Sequence, residues 1–208
     1  MATELELLYE KQGKLLVKNL QARHFDAYYC NTSKDALQMA LSLIPEGSSV
    51  GWGGAISAQQ IGLIDAIKAG NYRAIDRDVV EDRDAAMHEC LNADLFLTGA
   101  NAISLDGQMV NIDGTGNRVA AIAYGPKTVV VIAGMNKVTP TLEDAIRRAR
   151  NVAAPLNQQR FLMEAPCTHT GTCGDCKSVG CICNQILVTR HCREHRIKFV
   201  LVGETLGF

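Results

Sequence analysis

Residues 128–134 read Thr128-Val129-Val130-Val131-Ile132-Ala133-Gly134, an unbroken apolar run rich in β-branched side chains. A strand with one wet face alternates apolar and polar residues. A strand apolar on both faces is expected where helices cover both sides of a parallel sheet. The rest of the chain fits that frame. Strand patterns at Phe25–Cys30, Ser49–Trp52, Ala74–Asp76, Asp94–Gly99, Gln108–Ile112, Gln185–Thr189 and Ile197–Val202 are interleaved with helical patterns. The helical patterns are Thr3–Arg23, a segment capped by Thr32 or Ser33 and running to Leu43, Ala58–Ala69, Asp82–Asn92, Asn117–Tyr124 and Ala145–Val152, the last opened by Thr141 and Asp144. Alternating strands and helices predict an α/β fold with a mainly parallel sheet flanked by helices. A chain of 208 residues is long enough for one core, so residues 1–208 are expected to form a single domain.

Composition removes several function classes. Lys+Arg number 21 against Asp+Glu 22, and aromatic residues are 5%. A strongly basic nucleic-acid surface and a base-stacking platform are therefore not expected. No apolar run reaches the length of a membrane helix, and Met1–Leu16 lacks the features of a signal peptide. A cytoplasmic chain is expected. Its eight cysteines are then read as thiols or ligands, not as structural disulfides.

Five of those cysteines, Cys167, Cys173, Cys176, Cys181 and Cys183, fall in the Cys-, Gly- and Thr-rich segment 166–184. Cys173 and Cys176 have C-x-x-C spacing, which lets two thiolates approach one centre, and Gly171, Gly174 and Gly180 permit tight turns. Thiolates suit zinc or an iron–sulfur cluster and exclude magnesium and calcium. Zinc and a 4Fe-4S cluster stay undecided. Free thiols, or a redox disulfide at Cys173 and Cys176, are the alternatives. His169 could replace one sulfur, and Cys181 and Cys183 could both ligate only with strain. Cys30, Cys90 and Cys192 read as ordinary thiols, and His191, Cys192 and His195 as a solvated turn.

Gly53 and Gly54 follow a strand and precede a helix, where backbone N–H groups can face an anion. Neither a Walker loop nor a dinucleotide fingerprint is present. Asn101, Asn111, Asp113, Asn117 and Arg118 gather after strand ends, as in a ligand crevice at the carboxyl edge of a sheet. Glu204, just after the last strand, is a further candidate acid, base or nucleophile. A small anionic metabolite is the expected ligand.

Trp52-Gly53-Gly54, Ile61-Gly62-Leu63, Asn111 through Ala120, Gly125-Pro126-Lys127 and Gly134-Met135-Asn136-Lys137 resemble the lactate-utilisation (LUD) domain family across nearly the whole chain. The cysteine segment and the ending Gly203-Glu204-x-Leu206-Gly207-Phe208 resemble one cysteine-bearing branch of it. The resemblance implies a sugar-isomerase/CoA-transferase-like fold of the NagB/RpiA type. It matches Cys167, Cys173, Cys176 and Cys183 to that branch's cysteines and leaves Cys181 as an addition. It implies an accessory redox protein of lactate or organic-acid oxidation. Its partners would be iron–sulfur oxidoreductase subunits, and a second copy of the chain is a further candidate partner. It carries no catalytic residue over, so turnover stays open. The second reading is a small-molecule isomerase or acyl/CoA-transferase-like enzyme with structural zinc, worked by Glu204, Asp113 and Arg118. The third is a non-catalytic metabolite- or metal-sensing module.

Overall fold

The computed structural model describes residues 2–161 and 163–208. Helix α1 (Glu4–Ala22) starts at a capping box: Thr3 accepts from the Glu6 backbone N–H and the Glu6 carboxylate accepts from Thr3 N at 2.7 Å. There follow β1 (Asp26–Cys30), α2 (Ser33–Ser42), β2 (Ser49–Trp52), α3 (Ile56–Gln60), α4 (Leu63–Ala69), β3 (Arg73–Ile75), α5 (Arg83–Leu91) and β4 (Leu95–Thr98). Next come β5 (Ala102–Ser104), β6 (Met109–Asp113), α6 (Asn117–Tyr124), β7 (Thr128–Gly134), β8 (Val138–Thr139) and α7 (Leu142–Arg148). After a π-helical turn, Ala149–Ala153, come α8 (Ala154–Gln158), α9 (Pro166–Thr170), β9 (Gln185–Thr189) and β10 (Ile197–Val202). Among the described residues no helix is long and apolar enough to cross a membrane.

Six strands form a wholly parallel sheet in the order β1-β10-β7-β4-β2-β3. The run that opened the sequence argument is β7, and its side chains divide by parity. Val129, Val131 and Ala133 enter one core with Leu16, Leu20, Phe96, Ile122 and Phe199. Val130 and Ile132 enter the other with Ala36, Ile64, Leu95, Leu97 and Val200. Each buried Val or Ile contributes about 1.5–3 kcal/mol relative to exposure, which fixes β7 at the centre. Phe25 meets Phe199 edge-on at 5.2 Å, closing the α1 side.

Four strands form a second sheet, β8-β5-β6-β9, with β5–β6 and β6–β9 antiparallel and β5–β8 parallel. The sequence pattern gave no sign of β5 or β8, because two or three residues hold no periodicity. Two expected helices also differ. The segment 58–69 divides into α3 and α4 where Gly62 takes φ +80°. The helix expected at Ala145–Val152 starts at Leu142 and continues through the π turn to Gln158.

Gly13 lies on the buried face of α1, and a Cβ there would come within 2.2 Å of the Tyr29 ring. Gly13→Ala therefore lowers stability by about 1–2 kcal/mol, the collision outweighing the roughly 1 kcal/mol gain in helix propensity. Urea unfolding of the variant measures this.

Candidate functional site

Neighbouring strands β2 and β4 send their connections in opposite directions across the sheet, β2 toward β3 and β4 back toward β7. Parallel sheets bind ligands at the carboxyl end of such a switch point. Gly53 and Gly54 leave β2 there, and Gly99 and Asn101 leave β4. A Cβ at Gly53 would lie 2.6 Å from Arg118 Cγ, so glycine is what lets the arginine stem cross this loop. Asp113, at the end of β6, caps α6: its Oδ2 accepts from Arg118 N (2.8 Å) and Val119 N (3.1 Å). The same oxygen is 3.7 Å from Arg118 Nε, and the guanidinium also donates to Ile112 O. Burial pulls the Arg118 pKa down and Asp113 opposes that shift.

The two asparagines organise the β4 side. Asn101 Oδ1 accepts from Ile112 N (2.8 Å), and Asn111 Nδ2 donates to Gly99 O (2.9 Å). Asn111 is fully buried, yet its Oδ1 has no partner among the described residues. Asn117 Oδ1 accepts from Thr115 Oγ1 (2.8 Å) within the loop that starts α6. Glu204 stands apart from this group. It holds α2, its Oε1 accepting from Ser33 N (2.8 Å) and its Oε2 from Ser33 Oγ (2.5 Å).

Three groups that the sequence reading passed over complete the edge. Lys137 follows β7 by three residues and is 4% exposed. Its Nζ donates to Ser57 Oγ at 3.1 Å. Burial, then the charges of Arg148 and Arg118, push its pKa down to about 7. Arg148 donates from Nε to Asn136 O (3.1 Å) and from Nη1 to Asn101 O (2.6 Å) and Phe208 O (3.3 Å). Among the described residues no Asp or Glu side chain lies within 4 Å of Lys137 or Arg148, whereas Arg118 has Asp113. The only sequence signal was position: Gly134-Met135-Asn136-Lys137 leaves the end of the clearest strand.

All five clustered cysteines line one cavity of about 120 Å³, with Arg150, Gln158, Asp175 and Ile186. Asp175 takes φ +52° between Cys173 and Cys176. Gln158 Nε2 donates to Gly180 O (3.2 Å) and Met163 O (3.0 Å), pinning the loop to α8. Arg150, on the π turn, donates to Cys173 Sγ (3.6 Å) and Asp175 Oδ1 (2.5 Å). Burial first, then neighbouring Cys181, pushes the Cys183 thiol up to about 12. Cys181 thus shares the cavity, whereas His169 is exposed on α9 and does not line it. Among the described residues, as placed, no three His, Cys, Asp or Glu side chains are arranged to hold a single metal ion. That includes His191, Cys192 and His195: Cys192 is buried and accepts from Ile197 N (3.2 Å), while the His191 ring packs 4.7 Å from His24.

A family model described as the LUD domain matches residues 13–202. The chain belongs to the LUD domain family. Among solved structures, this LUD-domain chain is similar to a DUF162 family protein from Deinococcus radiodurans. The identity is 11%, the match covers 95% of this chain and 98% of the other, and the TM-score is 0.52, which shows a shared fold. It is also similar, over 53% of its length and 54% of the other chain, to ribose 5 phosphate isomerase A from Neisseria gonorrhoeae, at 18% identity and TM-score 0.36. No curated protein matches the chain.

The buried Lys137 has a stability consequence. Its pKa is about 7 in the folded chain and about 10.5 unfolded. Between those values the unfolded chain binds a proton the folded chain lacks, so the penalty is full below pH 7 and fades as pH rises to 10.5. Lys137→Met is expected to stabilise by on the order of 2 kcal/mol at pH 6, after the loss of the Ser57 bond, with the gain shrinking toward pH 10. Melting curves of both proteins across that range check it.

Proposed function

We propose that the chain is an accessory redox protein of lactate or related organic-acid oxidation. Cys167, Cys173, Cys176 and Cys183 hold an iron–sulfur centre, and the sheet-edge crevice holds a small carboxylate. The observation that supports this reading is that five cysteines line one cavity of about 120 Å³. A four-thiolate zinc site closes directly round its ion at about 2.3 Å per bond, whereas a centre of several atoms needs room. The donor set is soft, which suits iron–sulfur or zinc and not a hard cation. When bound, such a cluster supplies one-electron transfer.

The chain's own groups support the rest. Arg150 donates to Cys173 Sγ and so fixes that sulfur at the cavity wall. Arg118, Lys137 and Arg148 leave the crevice with more positive than negative charge, which suits an anionic metabolite. Crevice and cavity lie on either side of one helical segment: Arg148 reaches Asn101 O and Arg150 reaches Cys173. Exchange of electrons with iron–sulfur oxidoreductase subunits follows from this reading.

Protein purified without oxygen is expected to be brown, with roughly four irons per chain, and Cys176→Ser is expected to lose them. Colourless protein with stoichiometric zinc refutes the redox role. The anion site is read separately. Oxalate is expected to raise the melting temperature of the wild type but not of Arg118→Ala, with iron content equal in both. Equal shifts in the two proteins remove Arg118 from the site.

A further inference from the structure

Among the described residues Lys137 is the one buried lysine, and the ion pairs and helix caps described above make no use of it. Three segments meet at its amine. Ser57, just inside α3, accepts its hydrogen bond. Gly99 lies at the end of β4, where a Cβ would sit 3.7 Å from Lys137 Nζ and 3.9 Å from Ser57 Oγ. Gly207 lies in the segment after β10, where a Cβ would come within 2.9 Å of both atoms. Arg148 and Arg118 supply the nearby charge. A fully buried ammonium wants three acceptors, and Lys137 has one hydroxyl. Glycine backbone packs against it from two sides, at Gly99 and, more tightly, at Gly207. The unpartnered Asn111 Oδ1 belongs to the same corner, since Asn111 Nδ2 holds the Gly99 carbonyl.

We propose that Lys137 is a nucleophile that condenses with the carbonyl group of a small carboxylate-bearing carbonyl compound, with Ser57 relaying the proton. This rests on the reading that the crevice takes a small carboxylate. Amines are made reactive by burial in apolar surroundings or beside another cation, and both conditions hold here. The surplus of positive charge selects a carboxylate-bearing partner over a neutral carbonyl. In the step, the Lys137 nitrogen bonds to the carbonyl carbon and one amine proton passes to the carbonyl oxygen. A second proton, delivered through Ser57, carries that oxygen away as water. The product is a protonated imine in which the nitrogen keeps its other proton. Adding water reverses the sequence, and no oxidant or reductant is consumed. In this proposal the segment 203–208, which packs on the amine, lifts to admit the carbonyl compound. That strap is held by Leu206 N to Asn136 Oδ1 (3.1 Å), Gly207 N to Gln60 Oε1 (2.6 Å) and Phe208 O to Arg148 (3.3 Å).

Incubating the full chain with glyoxylate or pyruvate and sodium cyanoborohydride, followed by intact mass and peptide mapping, tests the proposal. The expected result is a single reduced adduct per chain, mapped to Lys137 in the wild-type protein. Acetone gives none, and Lys137→Met and Lys137→Arg give none. Ser57→Ala slows adduct formation by roughly 100-fold. Adducts spread over surface lysines, or a single adduct that persists in Lys137→Met, overturn the proposal. An unchanged rate in Ser57→Ala overturns the relay. The result also separates the two readings. An oxalate-induced rise in melting temperature without any adduct defeats the nucleophile and leaves the anion site standing. Absence of both defeats the two together. Iron content bears on neither.

Discussion

Burial of β7 on both faces is the constraint from which the rest of the architecture follows. Val129 through Ala133 have no exposed surface, and their alternation commits one set to the α1 side and the other to the α2 side. A strand buried this way needs a parallel partner on each edge, and β10 and β4 supply them. Parallel pairing puts the carboxyl ends of β2, β4, β7 and β10 along a single edge. Gly99, Lys137 and Gly207 follow β4, β7 and β10 and are for that reason distant in the chain yet grouped around one amine, while Asn111, Asp113 and Arg118 come from β6 and α6.

Two electrostatic environments are built beside each other. At the sheet edge, Arg118 is buried beside Asp113, and Lys137 is buried with no Asp or Glu within 4 Å among the described residues. In the cysteine cavity, sulfurs crowd one another, and charging several at once is opposed by burial and mutual repulsion. That cavity asks for positive charge. One helical run links them, and its π turn, an arrangement found often at functional sites, spaces Arg148 and Arg150 so that each serves a different environment.

Much of the large sheet was legible in the residues. β2, α6, β7, β9 and β10 fall at the expected bounds because each is a continuous apolar or strongly capped segment flanked by Gly, Asn or Pro. The smaller sheet was legible only in part: β6 and β9 were expected, whereas β5 and β8 are two or three residues long and depend on partners distant in sequence. Within the site, Arg118, Asp113, Asn101 and Asn111 could be named because polar residues just after strands stand out against apolar neighbours. Lys137 could not, because a lysine after a strand is ordinarily solvated, and only the strap and the α3 loop make this one buried. Ser57 has no distinguishing neighbour in sequence. Glu204 stood out by position, yet its two oxygens are engaged by Ser33, 171 residues earlier in the chain. The sequence could count the sulfurs of segment 166–184. It could not show that Cys181 points into the same space as the other four.

The strand order has a consequence for how the chain is made. β1 pairs with β10, Asp26 opposite Lys198, so the first strand to leave the ribosome waits for the last. Until then β1 and the free edge of β7 present unpaired backbone, and closing so long a loop is entropically costly and slow. Early α1–β1 contacts can form during synthesis, while the sheet itself closes only once β10 is available. Nascent chains that stall short of Ile197 are thus the species most exposed to aggregation and most dependent on chaperones.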